Sequence, residues 1–329
     1  MKKILLIGTG GTIASVETDR GLVPELTGEA LTRAVPELLD LCEIDCLQLL
    51  SKDSTSICPE DWVLMAETIR RHYVDYDGFL IAHGTDTMAY TAAALSYLVQ
   101  NNRKPIVLTG SQLPMVSNNA DAARNLLDAC ICACDPGSTG TQIVFSGSVI
   151  LGTRARKNFT KRFAAFGSIN FPEIARIQGG RLTRFISLMP TDDLRFYDRL
   201  DTNVGLLKLV PGMKGDVMRY VIDRHDGLVV ETFGVGGLPE YTDFYGQLKS
   251  AVDAGKLIVM TTQVPNEGSD LAVYGVGHAI KQQLNVLEAH DMTTEAAYAK
   301  LMWILGETHD FAEAERLFYA PVLKDIMYF

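Results

Sequence analysis

The chain has 329 residues, 47% hydrophobic and 21% charged, which excludes a disordered polymer and makes two domains the better expectation for its length. Its 30 basic and 40 acidic residues leave a formal charge of −10, an acidic surface that repels phosphate backbones and argues against a nucleic-acid partner. No apolar run reaches the roughly 18 residues that a membrane helix needs, so no membrane partner is expected.

The N-terminal MKKILLIG mimics the start of a signal peptide, but its apolar stretch, Ile4 to Ile7, is shorter than the ~7–15 residues of a signal core, and glycines break it. It reads as a first buried strand, and with no export signal the protein is expected in the cytoplasm. The strand runs into LLIGTGGTIAS, where a glycine turn has two readings. Gly8 and Gly10 match the first two positions of the dinucleotide fingerprint G-x-G-x-x-G, but the third falls on Ile13, where close helix packing wants glycine. No second strand with an acidic end lies around Gly28 and Glu29, and no Gly-Lys-Ser/Thr follows. The other reading is that the turn holds Thr12 as a nucleophile, beside backbone N–H groups that could stabilise an oxyanion. The bland use of Thr12 is as a helix N-cap.

Strand and helix then alternate. LLSKDSTSICPEDW places Asp53, Ser54 and Thr55 in a polar loop ahead of the helix CPEDWVLMAETIRRHY, with Pro59 and acidic residues in its first turn. YDGFLIAHGTD is a strand ending in His83, Gly84, Thr85 and Asp86, where Asp86 or Thr87 could equally cap the helix MAYTAAALSYLVQN. KPIVLTGSQLP is another strand with a polar end, DAARNLLDACICA a helix, and QIVFSGSVILG one or two strands. GTRARKNFTKRFAAF carries Lys157 in a basic run, whose bland reading is a solvated face. A polar stretch between Met189 and Thr202 reads as a linker, after which the alternation resumes and closes with TTEAAYAKLMWILGE and FAEAERLFY as helices.

Short apolar strands alternating with helices predict an α/β fold of two domains with largely parallel sheets: an N-terminal domain over 1–190, a linker over 191–204 and a smaller C-terminal domain over 205–329. In such sheets a site lies beyond the carboxyl ends of the strands, which is where GTGGT, HGTDT and TGSQLP fall. Of the six cysteines, Cys130 and Cys134 share a helix face and Cys132 points elsewhere. Their spacing is not that of a zinc site, so they read as small buried residues and no metal is expected.

These elements in this order resemble the bacterial-type L-asparaginase family, the threonine amidohydrolases. Its two signatures stand as Thr9-Gly10-Gly11-Thr12-Ile13 and His83-Gly84-Thr85-Asp86-Thr87, and the resemblance continues through DSTSICPEDW, LTGSQLPM, NADAARNLLDA, RARKNFTKRFAAFGSINFP, ETFGVGG and TTQVPNEGSDLAVYGVG. It covers nearly the whole chain and is closer to the cytoplasmic, type I branch.

The resemblance implies that Thr12 is the nucleophile and that Thr85, Asp86 and Lys157 form a second triad, in which the lysine and carboxylate steer protons on a threonine hydroxyl or on water. Lys157, rather than Lys161, takes that role because Ala165-Phe166 follows it at the family's interval. Ser54, Thr55 and Asp86, with Gly11 and Gly84, match positions that bind the amino-acid substrate. A zwitterion needs a carboxylate for its ammonium and donors for its carboxylate, which Asp86 and the Ser54-Thr55 hydroxyls with adjacent N–H groups can supply. No cofactor is needed, and a homodimer or homotetramer is implied. The family usually carries a tyrosine in the mobile loop after the first signature. Leu22 stands in its place, and no tyrosine occurs from Ser15 to Gly28. The open alternatives are an amidohydrolase acting on L-glutamine or D-asparagine, and a non-catalytic amino-acid-binding protein on this scaffold. The tRNA-linked relatives of the family carry an extra N-terminal domain, and the first signature here begins at Thr9.

Overall fold

The apolar run after Met1 becomes β1 (Lys2–Gly10), buried from Ile4 onward. A strand flanked on both edges and covered on both faces has no polar side to show, which is why its sequence is a continuous apolar run and not an alternation. The computed structural model describes residues 1–329 except 20, 25, 118, 119, 191, 274, 328 and 329, and except the side chains of 16–18, 21–24 and 276. The chain divides into two units, Met1–Asp198 and Arg199–Phe329.

In the first unit β1 is joined by β2 (Cys42–Lys52), β3 (Gly78–Ala82), β4 (Pro105–Thr109), β5 (Gly140–Phe145), β6 (Ser148–Leu151), β7 (Ala175–Gln178) and β8 (Arg181–Arg184). The strand order is β8-β7-β6-β5-β4-β3-β1-β2. The five strands from β5 to β2 are parallel, and β6 to β8 join antiparallel. The connections carry helices α1 (Gly28–Ala34), α2 (Leu38–Leu41), α3 (Pro59–His72), α4 (Met88–Leu98) and α5 (Ala122–Cys134). α3 starts where its sequence says it should: Pro59 is in the first turn, and the Asp61 carboxylate accepts the Cys58 N–H at 2.9 Å.

Departures from the sequence reading have local causes. β2 escapes the apolar pattern because it is an edge strand, and its Asp45 and Glu43 pair with Lys3 at 3.0 and 3.6 Å. The segment after the first signature folds as a hairpin, Ser15–Thr18 against Gly21–Pro24, with Glu17 opposite Leu22. The basic run around Lys157 contains a second hairpin, Ala155–Lys157 against Phe166–Ser168. Within the polar segment 191–204, Arg195–Phe196 pairs with Val99–Gln100 and so belongs to the first unit, while Arg199 onward belongs to the second.

The second unit is a four-stranded parallel sheet in chain order: Val204–Lys208, Gly227–Thr232, Leu257–Thr262 and Leu287–Glu288. Helices Gly215–Arg224, Phe244–Asp253 and Gly275–Gln283 connect the strands, and Thr294–Glu307 and Phe311–Tyr319 close the chain. Leu207, Met218, Val230, Phe244, Leu248 and Ile258 are among the residues of its core. Both units are α/β with largely parallel sheets, as the alternation predicts. Among the described residues no helix is long and apolar enough to cross a membrane.

Candidate active site

Three strand ends meet at the carboxyl edge of the first sheet, and glycines let them. β1 passes through Gly10 (φ 104°) and Gly11 (φ 77°) into a three-residue turn, Thr12–Ala14. Both glycines sit in the left-handed half of the map that other residues adopt only at a cost. Space imposes the same choice. A Cβ on Gly10 would lie 2.6 Å from the backbone nitrogen of Lys52, and one on Gly11 would overlap the backbone of Gly84. A Cβ on Gly84 would lie 2.6 Å from Ser54 Oγ and 3.0 Å from Gly11 Cα. The ends of β1, β2 and β3 are thereby interlocked backbone against backbone.

Hydrogen bonds stitch the same contact. The Gly11 N–H donates to the Lys52 carbonyl at 2.9 Å, and the Asp86 N–H to Ser54 Oγ at 3.2 Å. Thr87 Oγ1 donates to the Ser54 carbonyl at 2.7 Å, and Thr9 Oγ1 to the Ala82 carbonyl at 2.9 Å. The capping readings therefore lapse. Thr87 precedes α4 but its hydroxyl is spent on Ser54, and Thr12 heads a single short turn whose N-cap is Gly11. Thr12 is partly exposed, and its hydroxyl has no hydrogen bond among the described residues.

Lys157 comes to this crevice from the second hairpin. Its ammonium donates to Thr85 Oγ1 at 2.7 Å and to Asp86 Oδ1 at 2.6 Å. Its side chain is only 16% exposed, so it is no solvated face, whereas Lys161 lies on the exposed tip of the same hairpin. Thr85 is buried, and with one lone pair taken by the ammonium its hydroxyl donates to Gln112 Oε1 at 3.4 Å. Gln112 is held in turn: its N–H meets the Asp121 carboxylate at 3.0 Å, and its Nε2 donates to the Arg162 carbonyl at 3.0 Å. Sequence reasoning misses Gln112, although it lies in TGSQLP, one of the polar strand ends. Asp86 spends only one oxygen on Lys157 and remains 58% exposed, which leaves capacity for a further cation.

Ser54 and Thr55 differ. The Thr55 N–H and hydroxyl both donate to Asp53 Oδ1, at 2.8 and 2.7 Å, and those bonds hold the Asp53 carboxyl below its ordinary range. Of the two hydroxyls, the buried Ser54 is the one that accepts from Asp86 and still has its proton to give. Behind the loop, burial pushes the Asp61 carboxyl up, but the Lys52 ammonium at 2.8 Å and the Cys58 N–H outweigh it and hold it low.

His83 lies wholly inside. Trp62 Nε1 donates to Thr91 Oγ1 at 2.9 Å, Thr91 Oγ1 lies 3.0 Å from His83 Nε2, and His83 Nδ1 lies 2.6 Å from the Gly84 carbonyl. An indole N–H can only donate and a carbonyl can only accept, so one tautomer satisfies the chain: Nδ1 carries the hydrogen and Nε2 accepts from Thr91. Burial pushes the imidazole pKa down to about 4, which keeps it neutral. His83 thus fixes the Gly84 carbonyl, in the peptide that follows the His83–Gly84 peptide packed on Gly11. The side chain of Leu22 lies outside the described residues.

A family model described as "Asparaginase, N-terminal" matches residues 3–187, and one described as "Glutaminase/Asparaginase C-terminal domain" matches residues 203–318. The L-asparaginase of Thermococcus kodakarensis is 39% identical over 326 residues, covering 98% of this chain and 99% of that protein. One chain of the glutamyl-tRNA(Gln) amidotransferase of Pyrococcus furiosus is 36% identical over 333 residues, covering 95% of this chain and 74% of that protein. The solved structure of the thermostable L-asparaginase from Thermococcus kodakarensis matches with a TM-score of 0.93 at 37% identity over 99% of both chains.

Proposed function

The chain belongs to the asparaginase family, and on that premise we propose that it is an L-asparaginase, hydrolysing the side-chain amide of L-asparagine to L-aspartate and ammonia. One observation carries the assignment of residues: an ammonium, a threonine hydroxyl and a carboxylate meet within 2.7 Å at the strand ends where Gly84 packs on the turn before Thr12. Thr12 attacks the amide carbon, and backbone N–H groups of the turn hold the oxyanion. The Gly11 N–H is already given to Lys52, so the donors come from beyond it in the turn. Ammonia leaves, and water cleaves the aspartyl ester, oriented by Thr85 with Lys157 and Asp86.

Substrate recognition divides by charge. The free side of the Asp86 carboxylate takes the α-ammonium, and the Ser54 hydroxyl donates to the α-carboxylate. Thr55 contributes only if it gives up Asp53. Gly11 and Gly84 act by their lack of side chain, which keeps the floor of the crevice thin. We place the protein in the cytoplasm, because its six cysteines are unpaired, as a reducing compartment keeps them. We also infer a homo-oligomer, since Phe159 and Phe163 stand exposed on the hairpin that delivers Lys157. Sizing by light scattering tests that, a monomer refuting it.

Steady-state ammonia release with L-asparagine, D-asparagine and L-glutamine side by side, for the wild type and Thr12→Ala, tests the reading. The expected result is turnover of L-asparagine that Thr12→Ala abolishes. Preference for either other amide corrects the substrate, binding without turnover makes this a non-catalytic protein, and an active Thr12→Ala refutes the nucleophile.

A further inference from the structure

Far from the crevice, three cysteines converge. Cys42 lies where α2 passes into β2, and Cys130 and Cys134 are one turn apart on the face of α5 that packs on α2. Cys42 Sγ and Cys130 Sγ are 3.4 Å apart, and all three sulfurs lie within 4.8 Å of one another. The spacing of cysteines along the chain hides this group, because Cys42 is 88 residues from Cys130. We propose that Cys42, Cys130 and Cys134 form a three-thiolate site for a soft cation of the copper(I) class.

Four properties of the site argue for it. First, size: metal–thiolate bonds of about 2.3 Å put three sulfurs around one ion about 4 Å apart, inside the span seen, so the thiols need shift little. Second, ligand type: the group offers sulfur alone, which suits a soft cation and not magnesium or calcium. Third, charge: Cys134 is the last residue of α5, the negative end of the helix dipole, which favours a cation there. Fourth, access: Cys42 and Cys130 are buried, but Cys134 is half-buried and opens the group to solvent. On binding, S–H bonds break and S–Cu bonds form, the protons pass to solvent, and the copper stays copper(I).

The site is remote from the chemistry. Cys42 begins the strand whose far end leads into Asp53 and Ser54; it pairs with Lys2, and Lys52 at the other end with Gly10, so at about 3.3 Å per residue of β1 the two ends are about 26 Å apart. Binding should stabilise the first unit without entering turnover.

The test uses the reduced full-length chain under anaerobic conditions, titrated with copper(I) held by bathocuproine disulfonate. The expected result is one copper(I) withdrawn per chain, with three of the six thiols then protected from alkylation. Cys134→Ser, at the most exposed of the three positions, should bind at least about tenfold more weakly, while Cys46→Ser binds as the wild type does. Wild-type thiols that alkylate equally fast with and without copper(I) overturn the proposal, whatever the variants do. So does a Cys134→Ser chain that holds copper(I) as tightly as the wild type.

Discussion

Gly11→Ala isolates what the glycine turn is for. At φ 77° and ψ −178° the backbone lies in a region essentially reserved for glycine, and an alanine there costs about 1–3 kcal/mol. The new methyl also overlaps the Gly84 backbone, which His83 and the β3 ladder hold in place, adding about 1–3 kcal/mol of overpacking. The loss of stability is therefore about 2–6 kcal/mol. Gly180→Ala is the control. It has the same φ of 77° with nothing within 4 Å of its Cβ, so it carries only the backbone cost of about 1–2 kcal/mol. Urea unfolding of both variants measures the difference, and ammonia release measures its consequence. Gly180→Ala should turn over normally, and Gly11→Ala should lose activity even where it remains folded, because Thr12 and Thr85 are pushed apart. A Gly11→Ala variant matching Gly180→Ala in both assays would refute the reasoning.

His83 makes stability depend on pH. Its folded pKa of about 4 is below the ordinary 6.5, so the unfolded chain binds the extra proton first and stability falls as pH drops from 6.5 to 4. The span is worth about 3 kcal/mol. Unfolded across that range, the wild type should lose about 3 kcal/mol more stability than His83→Gln, and equal losses would exclude a buried neutral histidine. Lys157→Met should lower kcat at least about a hundredfold while changing the melting temperature little, since Thr85 keeps Gln112 as a partner; Lys161→Met should leave both unchanged. In the second unit Asp325→Ala removes the carboxylate 2.7 Å from the fully buried Lys300 ammonium, leaving it the Phe318 and Ala320 carbonyls. The cost should be about 3–5 kcal/mol by chemical denaturation, largely recovered by adding Lys300→Met; a single variant as stable as wild type would contradict this.

Much of the fold can be read locally. The apolar runs of β1 and β3, the capped start of α3 and the β–α alternation follow from periodicity and turn chemistry that neighbours in sequence already contain. The family resemblance rests on TGGTI and HGTDT in order, and the choice of Lys157 over Lys161 comes from the interval to Ala165-Phe166. β2 and the hairpins are less legible, because an edge strand and short ribbons bury too little to impose a pattern.

The amino-acid sequence alone determined the fold class, the polar character of the strand ends and the residue types available there, since each is encoded within one element. Tertiary structure decided what those residues are bonded to. Strand order β3-β1-β2 is not chain order, and only that order brings Gly84 against Gly11 and Ser54. It spent the donors of Thr55 on Asp53, left those of Ser54 open, and made Gln112 the partner of Thr85. The same packing carried Cys42 to Cys130 and Cys134. The physical reason is common to all of these: long-range packing of α/β layers sets which loops meet, and no local period records it.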